Sequence, residues 1–187
     1  MNLVSKNPTI YLIGGKARSG KTTFGNFMKE EFMKNGKKVA SLMYAEYIKN
    51  YAKDHFGWDG TEENKPRELL QKLGTDIIRK GLNKPNFLIN RLCEDIEILS
   101  YFFDIIIVDD VREKDEIVIP KLLFQKVISI KITRENRDDL MTEEQRQHPT
   151  EVLLDNYNKF NIVVENDGSL DELKYKSEKI AISNYKK

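Results

Sequence analysis

Several residue types are scarce in this 187-residue sequence, and each shortage excludes a class of protein. The single cysteine, Cys93, excludes an internal disulfide framework and a cysteine-rich zinc module, and it is typical of a reducing compartment. The most apolar segment, Ile105–Val108, is far shorter than the roughly 20 residues that a membrane-spanning helix needs. Residues 1–8 lack the apolar core of a signal peptide. We therefore expect a cytoplasmic protein without a membrane partner.

Net charge is also nearly absent, because 31 basic residues face 30 acidic ones and leave a balance of +1. Proteins that coat polymeric nucleic acid normally carry a basic excess, so we expect no polymeric nucleic acid as a partner. The chain has no internal repeat and no linker rich in proline, glycine or serine. At this length, these features predict a single domain over residues 1–187. They leave the oligomeric state open, a homodimer included.

What the sequence does contain is an alternation of short apolar runs and helical patterns. Five runs, most of them rich in isoleucine and valine, are typical of strands covered on both faces, namely Ile10–Ile13, Val39–Met43, Ile105–Val108, Val127–Ile132 and Ile162–Val164. Between them, apolar residues recur at helical spacing in three sets, which are Phe24, Phe27, Met28 and Phe32; Leu69, Leu70, Leu73 and Ile77; and Leu88, Leu92, Ile96 and Leu99. A closing helix is predicted from Ser169 to Ile182, with Ser169 as its N-cap. The alternation predicts an α/β three-layer sandwich, in which helices flank a five-stranded parallel sheet.

The segment between the first strand and the first helix, Gly15–Thr22, fits the phosphate-binding pattern G-x-x-x-x-G-K-[ST]. Gly15 and Gly20 allow backbone angles and a close approach that a Cβ atom would block. The loop amides and the N-terminal end of the following helix favour phosphate oxygens, and Lys21 can reach the β and γ phosphates of a nucleotide. The predicted ATP-binding residues of this loop are Gly15, Lys16, Ala17, Arg18, Ser19, Gly20, Lys21, Thr22 and Thr23.

An acidic pair, Asp109 and Asp110, directly follows the apolar run Ile105–Val108. A carboxylate at the end of an apolar strand is typical of the Walker B element, which holds Mg²⁺ in phosphate-loop enzymes. Because side chains alternate along a strand, only one of the two carboxylates is expected to face the metal. We predict Asp109 and the hydroxyl of Thr22 as metal ligands, and we expect Asp110 to be available for the phosphate loop or the acceptor.

The placement of arginine indicates a second anion site. The chain has 23 lysines and only 8 arginines, yet Arg112 lies just after the aspartate pair, and Arg134 and Arg137 follow the fourth strand. A kinase of phosphorylated small molecules needs cations around the transferring phosphoryl group, and guanidinium groups bind phosphate bidentately. The predicted catalytic cations are Lys21, Arg112, Arg134 and Arg137. Half of residues 134–151 are charged, which is typical of a lid that closes over a nucleotide.

Through these motifs and further matching blocks, the sequence resembles the phage-type deoxynucleoside monophosphate kinases, within the P-loop nucleoside monophosphate kinase group. Beyond the phosphate loop, the matching pieces are Arg67–Asp76, Val108–Arg112, His148–Glu151 and Ile162–Leu170. The blocks Leu-Leu-Gln-x-x-Gly-Thr and Asp-Val-Arg are the specific ones. The resemblance implies a P-loop kinase domain with a helical NMP-binding insertion at about 45–100 and a lid at about 134–151. It also implies ATP and Mg²⁺ as cofactors and small nucleotides as substrates.

The resemblance further implies roles for individual residues. The acceptor-binding residues that it implies are Lys65, Arg67, Gln71, Thr75, Asp110 and Arg112. The loop after the last strand resembles the one that passes the donor adenine, which adds Asn166 and Gly168 to the ATP site. The block His148-Pro149-Thr150-Glu151 is a family feature whose role the residues themselves do not explain.

The departures from the family pattern concern the acceptor. The family usually continues Asp-Val-Arg with Phe and then Asn-Glu, whereas this chain has Glu113-Lys114-Asp115-Glu116, and Phe87 stands where Trp is common. We expect ATP-dependent phosphotransfer to a deoxynucleoside 5′-monophosphate, giving the diphosphate and ADP. The alternatives are a P-loop kinase of phosphomevalonate or dephospho-coenzyme A, and a nucleotide-dependent ATPase or binding module. The residues leave the preferred base and sugar open.

Overall fold

The computed structural model describes residues 4–135 and 153–185 of the chain. Its strands are β1 (Thr9–Gly14), β2 (Val39–Leu42), β3 (Ile105–Val111), β4 (Val127–Thr133) and β5 (Ile162–Glu165). They form a parallel sheet in the order β2-β3-β1-β4-β5. The five predicted strands and their parallel arrangement are therefore confirmed, with β1 at the centre of the sheet.

Six α-helices lie in the described ranges. They are α1 (Lys21–Lys34), α2 (Glu46–Phe56), α3 (Arg67–Gln71), α4 (Phe87–Leu99), α5 (Asp115–Leu123) and α6 (Leu170–Tyr185), and a π-helix (Lys72–Gly81) follows α3 directly. The predicted cap of α6 is confirmed, because the backbone N–H of Glu172 donates to the Ser169 hydroxyl over 3.2 Å.

Helices cover both faces of the sheet. Ile10 and Leu12 of β1 belong to the core layer that contains α4 and α5. Tyr11 and Ile13, which alternate with them, belong to the opposite layer with α1 and α6. Since both faces are buried, the strands are continuously apolar, as their sequences predict. The three-layer α/β sandwich is thus confirmed.

The carboxyl edge of the sheet brings two sequence motifs together. Gly14, the last residue of β1, pairs with Val111 of β3 and with Lys131 of β4. The phosphate loop, which follows Gly14, and Arg112, which follows Val111, therefore leave the sheet side by side. In open α/β proteins this edge is where ligands bind.

The helices between β2 and α4 have a small apolar core of their own. Ile48 and Ala52 of α2 pack there with Leu70, Leu73, Ile78 and Leu88. We call residues 45–100 the insertion segment, since the sequence predicts a helical insertion over about this range, and α2, α3, the π-helix and α4 lie within it.

One predicted helix face is wrong in detail. The α-helical spacing predicts that Ile77 is buried with Leu73, but Ile77 is 41% exposed and Ile78 is 6% exposed. The reason is that Lys72–Gly81 is a π-helix, whose i→i+5 hydrogen bonds shift the buried positions to a five-residue spacing.

Most of the predicted lid, including Arg137 and the block His148-Pro149-Thr150-Glu151, lies outside the described residues. Within the described ranges, no helix has both the length and the apolar character that crossing a bilayer requires.

Candidate active site

The phosphate loop depends on its two glycines. Gly15 has φ +147°, and a Cβ atom there would lie 2.3 Å from the Ile132 carbonyl oxygen. Gly20 has φ +97°, and its Cβ would lie 2.5 Å from the Asn166 amide nitrogen. The predicted reason for glycine at both positions, positive φ and close approach, is confirmed.

Lys21 folds back over the loop from the first turn of α1. Its Nζ donates to the carbonyls of Gly15 and Lys16, both at 2.8 Å, and the residue is only 8% exposed. These contacts hold an ammonium group against the inside of the loop, where it can exchange a carbonyl for a phosphate oxygen. The position agrees with the predicted phosphate-binding role of Lys21, which stays a prediction.

Arg18 and Lys16 belong to the same phosphate loop. Arg18 has φ +60°, an uncommon angle for a residue with a side chain, and is exposed. Lys16 forms an ion pair with Asp155 at 2.9 Å. Asp155 comes soon after the undescribed range 136–152, so this pair connects the loop to the chain that returns from the predicted lid.

The two aspartates of β3 face opposite sides, as the alternation of a strand predicts. Asp109 lies beside α1. A Cβ atom built on Gly25 of α1 would lie 3.4 Å from the Cβ atom of Asp109. Thr22 and Gly25 are three residues apart on α1 and therefore share a helix face. Asp109 and Thr22 thus lie on the same side of the sheet, as the predicted metal ligands should.

The Asp109 carboxylate and the Thr22 hydroxyl are two oxygen donors that would suit Mg²⁺ arriving with a nucleotide. Among the residues described, no group of three or more His, Cys, Asp or Glu side chains could hold a metal ion. Mg²⁺ is usually bound by one or two carboxylates together with substrate phosphates and water. The donor set therefore fits Mg²⁺ bound to ATP phosphates and does not form a separate protein cage.

Asp110 anchors the insertion segment. Its two carboxylate oxygens accept the backbone N–H groups of Tyr44 and Ala45, each over 2.9 Å. Burial raises the pKa of Asp110 above its usual range, although the two backbone hydrogen bonds favour its charged form. These hydrogen bonds go to the turn before α2, and the predicted availability of Asp110 for the phosphate loop or the acceptor stays a prediction.

Glu116 closes the turn that carries Arg112. Its carboxylate accepts the N–H groups of Arg112 at 2.6 Å and Glu113 at 3.1 Å, and its own carbonyl accepts the Tyr44 hydroxyl at 2.7 Å. The residue is 4% exposed, and burial, with the charges of Asp110 and Glu113, raises its pKa to about 8.

The loops after β4 and β5 also lie at the carboxyl edge of the sheet. Asn166, after β5, is buried and donates its amide to the Ser19 carbonyl at 2.9 Å, so it supports the phosphate loop. Gly168 precedes the cap of α6, and the Glu172 carboxylate occupies the space where its Cβ would lie. Arg134 is exposed after β4. The predicted contacts of Asn166 and Gly168 with adenine, and of Arg134 with phosphate, stay predictions.

The implied acceptor residues lie in the insertion segment. Lys65 and Arg67 both pair with Glu62, at 2.8 and 2.7 Å. Gln71 is exposed at the end of α3, and Thr75 is half-buried in the π-helix. These contacts lie within the insertion segment, and the acceptor-binding role of Lys65 and Arg67 stays a prediction.

A cleft of about 430 Å³ opens where α4 begins. It is lined by Lys84, Pro85, Asn86, Phe87, Asn90, Arg91 and Glu94. Because a helix between two parallel strands runs antiparallel to them, its N-terminus lies towards the carboxyl edge of the sheet. The cleft therefore opens on the same side as the phosphate loop.

A model of the deoxynucleotide monophosphate kinase family matches residues 34–177. The chain belongs to this family. The match begins after the phosphate loop, so the Gly15–Thr22 motif is separate evidence. The kinase has no match among curated protein sequences.

Solved structures show the same fold. The APS kinase CysC of Mycobacterium tuberculosis in complex with AMPPNP and APS has a TM-score of 0.59 at 9% identity, covering 95% of this chain and 98% of that chain. A mutant of the same enzyme has a TM-score of 0.54 at 8% identity, with the same coverage of both chains. At such identities the likeness concerns the fold alone, which is that of a P-loop kinase.

Sequence reasoning missed three features of this kinase's site. Glu116 was noted only within a departure from the family pattern, yet it is buried and holds the Arg112 turn. Arg79 is absent from the predicted catalytic and acceptor-binding residues, yet it pairs with Glu113. The cleft at α4 was not predicted, although Phe87, at a family position, was a signal for it.

Proposed function

We propose that the protein transfers the γ-phosphoryl group of ATP to a deoxynucleoside 5′-monophosphate, giving ADP and the deoxynucleoside diphosphate. The observation that carries this proposal is the pairing of Gly14 with Val111, from which the phosphate loop and Arg112 emerge side by side. Two anion sites at one edge of a sheet suit two phosphorylated ligands. Membership of the family supports a nucleotide as the acceptor.

The donor half of the site is the loop Gly15–Thr22. Its backbone amides and the N-terminus of α1 bind the phosphates of ATP, and Lys21 neutralises the charge at the γ phosphate. Asn166 keeps the loop in shape through the Ser19 carbonyl. Thr22 and Asp109 would hold Mg²⁺, which when bound with ATP supplies positive charge to the β and γ phosphates.

The reaction needs no strong general base. The second pKa of a phosphate monoester is about 6, so the acceptor is largely a dianion at neutral pH. One of its oxygens forms the new bond to the γ phosphorus as the bond to the β–γ bridging oxygen breaks, and ADP leaves. Lys21 and Arg112 contribute by positioning the two phosphates and by neutralising their charge.

We place the acceptor base in the cleft at the start of α4. A volume of about 430 Å³ lies within the range of small-molecule sites. Phe87 offers an aromatic face, Asn86 and Asn90 offer amides, and Lys84 and Arg91 offer positive charge. This combination suits an aromatic base that carries a phosphate.

An acceptor panel tests the proposal. The purified protein is incubated with ATP, Mg²⁺ and one acceptor at a time, and ADP is measured. The acceptors are the four common deoxynucleoside monophosphates, their ribose counterparts, phosphomevalonate, dephospho-coenzyme A and water alone. The proposal predicts ADP formation that depends on at least one deoxynucleoside monophosphate. ADP formation with only another acceptor, or at the same rate with water alone, would contradict it.

A further inference from the structure

The end of β3 and the turn after it contact the insertion segment at two places. Asp110 accepts the N–H groups of Tyr44 and Ala45, just before α2 begins. Glu113 and Glu116 face Arg79, in the last turn of the π-helix. Arg112, the proposed acceptor cation, lies between these anchors. The insertion segment and the Arg112 turn are therefore connected at two separate points.

The contact at the π-helix is an ion pair that water only partly reaches. The Arg79 guanidinium bonds to the Glu113 carboxylate, and its other terminal nitrogen lies 3.9 Å from Glu116 Oε1. The side chains of Arg79, Glu113 and Glu116 are 22%, 18% and 5% exposed. Such shielding makes the pair more sensitive to loss of one partner than an exposed surface pair would be.

The Glu116 carboxyl group links Arg79 to the backbone of Arg112. One of its carboxylate oxygens faces Arg79, and the other accepts the backbone N–H of Arg112 at 2.6 Å. A shift of the π-helix would move Arg79 and change the charge that Glu116 faces. The π-helix itself supports the pairing, because its wider turn places Arg79 at a different angle around the axis than an α-helix would.

We propose that Arg79 is a positioning residue, whose ion pair with Glu113, beside the buried Glu116 carboxyl, locks the insertion segment against the Arg112 turn and so sets Arg112 for the acceptor phosphate. The effect on catalysis rests on the proposed function. The lock, by which we mean the contact of Arg79 with Glu113 and Glu116, does not. Arg79 acts through Glu116 and Arg112, so its loss impairs use of the acceptor and leaves ATP binding intact.

A charge swap tests the lock. Arg79→Glu and Glu113→Arg each place like charges opposite one another, and the double variant restores an opposite-charge pair. We expect each single variant to lower kcat/KM for the deoxynucleoside monophosphate by about 10- to 100-fold, with the KM for ATP within about twofold. The double variant should recover at least about fivefold over either single variant. Arg79→Gln is a milder variant in case Arg79→Glu does not fold.

A matched control lies on the same helix. Lys80 pairs with Asp76 at 3.1 Å, but both side chains are well exposed, at 72% and 55%. Lys80→Glu, Asp76→Lys and their double variant repeat the same charge changes and should leave kcat/KM for both substrates unchanged. A loss of activity from Lys80→Glu as large as from Arg79→Glu would overturn the proposal, since general charge on the π-helix would then explain both.

Amide hydrogen exchange tests in the absence of any acceptor whether the Arg79 ion pair stabilises the insertion segment. In the free protein, Arg79→Glu should speed amide exchange in residues 67–81, and the double swap should slow it again. Unchanged exchange in a folded Arg79→Glu variant, or a double swap that recovers neither exchange nor acceptor use, would overturn the proposal. If the wild-type protein phosphorylates no deoxynucleoside monophosphate, the proposed function fails, and the exchange result still decides whether the lock exists.

Discussion

The Asn166 side-chain amide donates to the Ser19 backbone carbonyl over 2.9 Å and so joins the loop after β5 to the phosphate loop. The two residues are 147 positions apart in the chain. This buried amide thus supports the phosphate loop, whose glycines Gly15 and Gly20 both have positive φ.

The first prediction concerns a substitution of Asn166, the donor of this hydrogen bond. Asn166→Asp keeps the size of the side chain but points a carboxylate oxygen at the Ser19 carbonyl. We expect the KM for ATP to rise about tenfold and the free energy of unfolding to fall by about 1–3 kcal/mol. The KM for the acceptor should stay within about twofold. Steady-state kinetics with each substrate varied in turn, together with urea denaturation, measure these quantities.

Asn161→Asp is the matched control for that experiment. Asn161 uses its side-chain oxygen to accept the N–H and hydroxyl of Ser129, at 2.9 and 3.0 Å, and an aspartate retains that oxygen. This control should leave the KM for ATP unchanged. An unaltered ATP affinity in folded Asn166→Asp protein would contradict the supporting role of Asn166.

The second prediction concerns two buried tyrosines. The Tyr11 hydroxyl is buried with no hydrogen-bond partner among the described residues, whereas the Tyr44 hydroxyl donates to the Glu116 carbonyl at 2.7 Å. Tyr11→Phe should raise the free energy of unfolding by about 1 kcal/mol, because it removes an unsatisfied polar group. Tyr44→Phe should lower it by about 1–2 kcal/mol, because a buried carbonyl loses its donor. Urea denaturation of both variants measures these changes in the free energy of unfolding. A loss of stability in Tyr11→Phe would show that the Tyr11 hydroxyl has a hydrogen-bond partner in the wild-type protein.

The third prediction is a pH dependence of stability. The Glu116 carboxyl has an ordinary pKa of 4.5 in the unfolded chain and about 8 in the fold, chiefly because it is buried. Between these values the folded state binds more protons than the unfolded state, so stability falls as the pH rises. Burial of Asp110 acts in the same direction.

Glu116→Gln isolates this effect, because glutamine keeps an acceptor oxygen for the Arg112 and Glu113 amides but does not titrate. We expect the wild-type free energy of unfolding to fall by a few kcal/mol from pH 5 to pH 8, and the variant to show a smaller slope. Denaturation curves at four pH values measure both slopes. Equal slopes would show that Glu116 does not titrate in this range.

The fourth prediction concerns the acceptor cations. Glu62 pairs with both Lys65 and Arg67, and it would compete there with the acceptor phosphate. Exposed pairs contribute up to about 1 kcal/mol, so Glu62→Gln should lower the KM for the acceptor by no more than about fivefold. The neighbouring Glu63→Gln serves as the charge-matched control and should have no effect. A raised acceptor KM in Glu62→Gln would show that Glu62 itself supports acceptor binding.

Much of the fold could be predicted from the sequence, because its cause is local. Each strand is a short apolar run, and the glycines, Lys21 and Thr22 follow β1 at fixed spacing. The extension of β3 through Asp109 and Asp110 could not be predicted, since carboxylates are unfavourable in strands until partners such as the Tyr44 and Ala45 amides satisfy them.

The remaining features of the site arise from contacts between distant segments. Ile77 and Ile78 are both apolar, so the sequence fits either the α-helical or the π-helical spacing from Leu73, and the exposure of Ile77 could not be predicted. A buried glutamate is rare unless it is paired, and the partners of Glu116 come from the turn beside it and from Arg79, 37 positions away. Only the packing of the insertion segment on the sheet brings Arg79 to Glu116.

Phosphorus NMR of the products measures phosphoryl transfer between two bound nucleotides without any coupling enzyme or label. With ATP, Mg²⁺ and the preferred deoxynucleoside monophosphate, the wild-type protein should form ADP and the deoxynucleoside diphosphate in equal amounts. Lys21→Ala should abolish this turnover while keeping the fold, and Arg112→Ala should impair use of the acceptor more than binding of ATP. The formation of ADP and inorganic phosphate in equal amounts, with the monophosphate unchanged, would contradict the account.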